Sequence, residues 1–195
     1  MAKLDKKFYL GEDVVLIARQ LLGKFLCTHF NGMQTSGIII ETEAYKGPQD
    51  RASHAYGGRK TPRNAVMYQE GGVAYVYTCY GIHSLFNVVT HCEGVPHAVL
   101  IRALLPVEGV QYMRQRRPKA PLSAGPGTLS QALGIRSSHS GISLLSDTIW
   151  LEDRGIFPEK ICSGPRIGID YAGPDAKLPW RFRVSNNSFC NQSGS

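Results

Sequence analysis

The stretch Val73-Ala-Tyr-Val-Tyr-Thr-Cys-Tyr-Gly-Ile-His-Ser-Leu-Phe-Asn-Val-Val-Thr90 decides the fold. Aromatic and β-branched residues crowd both sides of Gly81, which predicts two strands, Val73–Tyr80 and Ile82–Thr90, in a hairpin. Strands joined by so short a turn pair antiparallel. Three further runs read as strands: Lys24–Phe30, Gly37–Ala44 and His97–Leu104. Their connections are short, so sequential neighbours should pair.

Helices fit around this sheet. Asp13 is placed to cap one in which Val14, Ile17 and Leu21 recur at helical spacing and which Gly23 ends. A second is expected over Val107–Arg116, ending in the basic stretch Arg114, Arg116, Arg117 and Lys119 before Pro121. Thr128, with Gln131 three residues on, reads as a capping box and predicts a third helix to about Leu133. The preceding Ala124-Gly-Pro-Gly127 can either hold a phosphate at that helix start or simply punctuate it. With no internal repeat and no linker, residues 1–195 read as a single α+β domain on an antiparallel sheet. The Ser/Asn-rich tail from Ser185 to Ser195 is expected to fray.

A net charge of +7 and a pI of about 9.3 favour a polyanionic partner, since neutralised phosphates release counterions. The five cysteines form no C-x-x-C pair, so a zinc site is not expected. No apolar run reaches membrane-spanning length and no signal peptide precedes the first helix, so no membrane partner is expected. Reduced thiols in the cytoplasm, beside the nucleoid in a bacterium, follow as the expected setting.

The chemistry-bearing residues begin with Ile38-Ile-Ile-Glu-Thr-Glu-Ala-Tyr45, an apolar strand running into two carboxylates. Strand alternation puts Ile39, Glu41, Glu43 and Tyr45 on one face. Glu43 there can serve as a general base and Tyr45 can hold a planar ligand; equally, the pair can be an ion-paired glutamate beside a packed tyrosine. Tyr75 and Tyr77 share one face of their strand and Tyr80 falls on the other, near the turn. Such rings suit base stacking or sheet packing. Arg102 interrupts the apolar run Val99–Leu104 and needs an acidic partner, for which Glu43 is the candidate. From Lys46 to Glu70 the chain is irregular and rich in Gly, Pro, Arg and His, as functional segments often are.

In order along the chain stand Glu41-Thr-Glu-Ala-Tyr45, Gly47-Pro-Gln-Asp50, His54, Gly57-Gly-Arg-Lys-Thr-Pro-Arg-Asn64, Tyr75-Val-Tyr-Thr-Cys-Tyr-Gly81, Asn87 and Leu100-Ile-Arg-Ala-Leu104. Gly125-Pro-Gly-Thr-Leu-Ser-Gln-Ala-Leu-Gly134 and Pro165-Arg-Ile-Gly168 follow. This ordered set closely resembles the alkyladenine DNA glycosylase family, the mammalian type of 3-methyladenine DNA glycosylase, over nearly the whole chain. Gln49 stands where the family pattern has an acidic residue, and Ile82-His83 replaces a bulkier pair.

The resemblance implies a curved antiparallel sheet with surrounding helices, and a monomeric, monofunctional, base-flipping enzyme without metal or cofactor. Its substrate would be double-stranded DNA containing damaged purines: 3-methyladenine, 7-methylguanine, hypoxanthine and ethenoadenine are the class. By position Glu43 would be the general base for the attacking water, and Arg102 would hold water and carboxylate. Tyr45 would stack on one face of the flipped base, His54 and Tyr77 on the other face and edge, with Tyr75 supporting the histidine. Asn87 would crowd the amino group of guanine, and Tyr80 would wedge into the duplex. Arg59, Lys60 and Arg63 are candidates for the DNA backbone.

Three other readings compete. A bifunctional lyase would need a nucleophilic lysine, and Lys46 or Lys60 is the nearest. A non-enzymatic nucleic-acid-binding module accounts for charge and aromatics but not for a carboxylate and an arginine set into apolar strands. A small-molecule hydrolase leaves the basic segments around Arg59 and Arg114 without a purpose.

Overall fold

A computed structural model describes residues 2–185 and 188–191. Its strands are β1 (Ala2–Lys3), β2 (Phe25–Phe30), β3 (Met33–Lys46), β4 (Ala74–Cys79), β5 (His83–Thr90), β6 (His97–Glu108), β7 (Ile149–Asp153), β8 (Ile156–Pro158), β9 (Ile161–Gly164), β10 (Arg181–Val184) and β11 (Phe189–Asn191). Nine form one antiparallel sheet in the order β1-β7-β2-β3-β6-β5-β4, with β10 beside β3 and β9 beside β10. β8 and β11 form a separate pair. The expected hairpin is present: Tyr80 and Gly81 both have positive φ (51° and 73°), and Ile82 N donates to Cys79 O at 3.2 Å. Two positive-φ residues match the right-handed twist of the flanking strands.

Helices α1 (Lys6–Tyr9), α2 (Val14–Gln20), α3 (Val110–Arg116) and α4 (Pro126–Leu133) accompany the sheet. The side chain of Asp13 accepts from Val15 N and Leu16 N, as its position predicted. Val14, Ile17 and Ala18 of α2 and Leu129, Ala132 and Leu133 of α4 join Ile39, Phe86, Val99 and Ile101 in the main core.

Several boundaries differ from the sequence reading. α3 begins at Val110 rather than Val107, because β6 runs on to Glu108 and Gly109 (φ 66°) turns the chain. A Cβ on Gly109 would stand 2.2 Å from Gln34 O, so only glycine fits this corner. α4 starts at Pro126 with Gly125 as cap; Thr128 lies in its first turn, where its hydroxyl accepts from Gly125 N at 3.0 Å. Gln131 does not cap: its amide donates to Arg116 O and ties α4 to the end of α3. The tail is not frayed throughout, since Phe189–Asn191 pairs with Ile156–Pro158; the remainder of that expectation, residues 186–187 and 192–195, lies outside the described residues.

The most consequential difference is in β3. Against β6 its register shifts between Ile39 and Glu41 and again between Glu41 and Thr42, so that Ile40 and then Arg102 are the extra residues. The first bulge breaks the alternation, because two residues on one strand oppose one on the other. Ile39 therefore lies in the main core, on the side where the Thr42 hydroxyl donates to Ala18 O of α2. It does not share the face of Glu41, Glu43 and Tyr45.

Candidate active site

One register line crosses five strands. Tyr75 pairs with Asn87, Asn87 with Leu100, Leu100 with Glu43, and Glu43 with Arg181. Directly paired residues present side chains on the same face. Beside this row opens a cavity of about 750 Å³, whose walls include Tyr45, His54, Tyr75, Tyr77, Asn87 and Arg102.

Glu43 lies immediately behind that wall and is 0% exposed. Its Oε1 accepts from Ile167 N at 2.8 Å and stands 3.3 Å from an Arg102 guanidinium nitrogen. Its Oε2 accepts from the Tyr45 hydroxyl at 2.9 Å. A carboxylate offers about four lone-pair sites, and these contacts leave one on Oε2 for a further donor. Arg102 does not serve Glu43 alone: its Nε donates to Glu41 Oε1 at 3.1 Å. Burial pushes the Tyr45 phenol well above its usual pKa, and the charge and hydrogen bond of Glu43 add to the shift. The phenol therefore stays protonated and donates at neutral pH.

Tyr45 is held from behind by Arg166. The Arg166 guanidinium lies 4.8 Å from the Tyr45 ring centre and 5.1 Å from that of Trp180. It donates to both oxygens of Asp50, and both side chains are 0% exposed. Asp50 also accepts from Lys46 N and Ala52 N, which closes the turn after β3. Removing one member of such a buried pair costs about 3–5 kcal/mol, so the support is rigid. The residue after Arg166 is Ile167, whose N–H holds Glu43. One ion pair thus fixes both the ring and the loop that grips the carboxylate.

Across the cavity His54 Nδ1 is 2.8 Å from the Tyr75 hydroxyl, and its ring packs edge-on to Tyr77 at 4.6 Å. Tyr75 and Tyr77 lie 5.4 Å apart. Partial desolvation lowers the His54 pKa, helped by Arg63 and Arg59, so the imidazole is neutral at pH 7. Burial pushes Tyr75 up to about 12. The Asn87 amide nitrogen donates to Tyr75 O and Leu85 O, which fixes the orientation of its carboxamide at the cavity wall. The arrangement can enclose a flat heterocycle between Tyr45 and the His54/Tyr77 pair, with a carboxylate behind one edge.

The family model of methylpurine-DNA glycosylase matches residues 7–188. The chain belongs to the methylpurine-DNA glycosylase family. A relative from Chlamydia abortus is 53% identical over 184 residues, covering 92% of this chain and 96% of its own. One from Chlamydia pneumoniae is 49% identical, covering 93% and 95%, and one from Bacillus cereus is 45% identical, covering 95% and 97%. Each carries the name "Putative 3-methyladenine DNA glycosylase". The protein is accordingly a DNA glycosylase of base excision repair, with DNA as its substrate partner.

For a glycosylase the remaining placements are informative. Tyr80 is 91% exposed at the hairpin tip, on the rim of the cavity, with Ile82 exposed beside it. Arg59, Lys60 and Arg63 are exposed. Arg63 donates to Thr78 O and lies over the Tyr77 ring, and Lys60 lies over Tyr68. Neither Lys46 nor Lys60 lines the cavity. The Gly125–Thr128 turn reaches the cavity rim because Gly127 packs on His83, where a Cβ would come within 2.8 Å of the ring. Among the described residues no group of three or more His, Cys, Asp or Glu side chains is arranged to hold a metal.

Sequence reading missed Glu41 as a partner of Arg102, the Ile167 N–H, the Asp50–Arg166 pair and the exposed Tyr171 at the rim. The signal for Glu41 was its place two residues before Glu43. For Ile167 and Arg166 it was only the motif Pro165–Gly168, which gives no contact by itself.

Proposed function

We propose that this glycosylase flips alkylated or deaminated purines out of duplex DNA and hydrolyses their N-glycosidic bond with a water activated by Glu43. Flipping is required because the bond cannot be reached inside the stack, and damaged or mispaired bases cost least to extrude. The extruded purine would lie between Tyr45 and the His54/Tyr77 pair. Electron-rich tyrosine faces attract cationic N3- and N7-alkylated rings, and neutral hypoxanthine or ethenoadenine still gains from stacking. Asn87 would stand against the 2-position and reject the amino group of guanine.

In the chemical step, water oxygen bonds to C1′ as the C1′–N9 bond breaks and its electron pair leaves with the purine. The water proton passes to Glu43. The carboxylate charge favours the oxocarbenium character at C1′, as in glycosidases. An alkylated cationic purine leaves neutral, while a neutral purine must also gain a proton. Tyr80 would fill the space left in the stack.

The observation that carries this reading is the buried Glu43 carboxylate, held by Ile167 N, Tyr45 and Arg102 with one lone pair of Oε2 still open, behind an aromatic-walled cavity. The test is release of free base from duplexes carrying 3-methyladenine or hypoxanthine, with sodium borohydride present in a parallel reaction. Base release with no trapped protein–DNA adduct is expected. A trapped adduct would replace the hydrolytic reading with the lyase.

A further inference from the structure

We infer that Glu41 is a positioning residue for the reaction: it holds Arg102 by Nε and thereby keeps the guanidinium from closing on the Glu43 carboxylate. The inference rests on the reading of Glu43 as general base. Four charged side chains form a chain across three strands, Arg181–Glu41–Arg102–Glu43. Arg181 stands 3.4 Å from Glu41 Oε1, Arg102 Nε donates to that same oxygen at 3.1 Å, and Arg102 Nη1 stands 3.3 Å from Glu43 Oε1. The backbone makes this sharing possible. Arg102 is the extra residue opposite the Glu41–Thr42 step, so the bulge, rather than the regular ladder, aims its side chain between the two carboxylates.

The chemistry explains why two carboxylates share one arginine. Guanidinium binds a lone carboxylate as a two-pronged fork, which occupies an oxygen pair and stabilises the charged form. An Arg102 free to fork onto Glu43 would block the open lone pair of Oε2 and make the carboxylate a poorer base. Glu41 takes Nε and neutralises part of the cation, so Glu43 receives a single contact on Oε1. Glu41 itself needs a second cation, and Arg181, the cross-strand neighbour of Glu43, supplies it. Among the described residues, the charged and titratable groups on this chain of ion pairs and next to it are Glu41, Glu43 and Tyr45 on β3, Arg102 on β6, Arg181 and Arg183 on β10, and Arg166 with its partner Asp50. Arg102 contacts two carboxylates, Glu41 and Glu43.

The test compares Glu41→Gln, Glu41→Ala and Glu43→Gln by single-turnover excision of hypoxanthine at saturating enzyme, with damaged-duplex Kd and Tm measured alongside. Glu41→Gln keeps an acceptor for Arg102 Nε but loses the charge, and Glu41→Ala loses both. The rate is expected to fall a few-fold in Glu41→Gln and about tenfold in Glu41→Ala, with Kd unchanged in both. A wild-type rate in Glu41→Gln would overturn the inference, as would a rate loss tracked by Tm and Kd. If Glu41→Ala does not fold, Glu41→Gln alone decides. Glu43→Gln separates the two levels of the argument: if it retains wild-type activity, the general-base reading itself falls, whereas an inactive Glu43→Gln beside a wild-type-like Glu41→Gln removes only the role of Glu41.

Discussion

The Tyr45 hydroxyl donates a 2.9 Å hydrogen bond to Oε2 of Glu43, two residues earlier on the same strand. The ring that lines the cavity and the buried carboxylate behind it are therefore joined through the oxygen that has a lone pair to spare. A donor to a carboxylate favours its charged form. Tyr45→Phe keeps the stacking face and removes the donor. The rate at pH 7 should fall but stay within about tenfold of wild type, a smaller loss than the hundredfold assigned to a general base. Single-turnover excision at saturating enzyme, with Kd on the same duplex, reads this directly; an unchanged rate would show that the bond does not influence the reaction.

Tyr80 sits in the left-handed region at the end of a tight turn, 91% exposed. So exposed a ring contributes little burial to the free protein. Tyr80→Ser is expected to leave Tm nearly unchanged while flipping weakens roughly ten- to a hundredfold, the equivalent of about 1–3 kcal/mol of stacking. The effect should be smallest for mispaired lesions, which need less unstacking. Stopped-flow fluorescence of ethenoadenine measures the flipping step. Wild-type flipping, or a large drop in Tm, would remove the wedge role.

Asn87 is fixed by its two bonds to main-chain carbonyls and is 4% exposed. Asn87→Ser would free space at the cavity wall and lose bonds worth about 1 kcal/mol each. Excision of guanine from a G·T mispair, relative to hypoxanthine, should rise. A ratio that stays constant would mean that Asn87 is a strand residue and not a gate.

Salt dependence tests the basic face. Arg59, Lys60 and Arg63 are exposed, and among the described residues none forms an ion pair with a carboxylate. Binding to duplex DNA should weaken with a log–log slope of about −4 or steeper, at roughly 0.9 per neutralised phosphate. A flat response would place affinity in shape and stacking instead.

Much of this is legible in the sequence because it is local. The Gly81 hairpin, the Asp13 cap and the shared face of Tyr75 and Tyr77 follow from residues within a few positions of one another. Ile39 falls on the other face because alternation assumes an unbroken ladder, and no residue type announces the bulge at Ile40. Thr128 reads as a cap because serine and threonine favour that role, whereas Pro126 fits the first helical position and moves the start back to Gly125. The Asp50–Arg166 pair joins residues 116 apart through a turn whose own sequence, Gly-Pro-Arg-Ile-Gly, carries no periodicity. Likewise Glu41 and Glu43 look alike on one strand, and only contacts from other elements separate them: Arg102 Nε and Arg181 meet Glu41, whereas Ile167 N and Arg102 Nη1 meet Glu43.

The central claim is that Glu43 takes the proton of the attacking water. Glu43→Gln preserves an acceptor for Ile167 N and the volume of the side chain, so fold and damaged-duplex binding should hold. The deciding measurement is single-turnover release of hypoxanthine at saturating enzyme, with Kd determined on the same duplex. A rate at least about a hundredfold below wild type, with Kd unchanged, is the expected result. A near-wild-type rate at saturating enzyme would contradict the account and leave Glu43 as a structural partner of Arg102 and Tyr45.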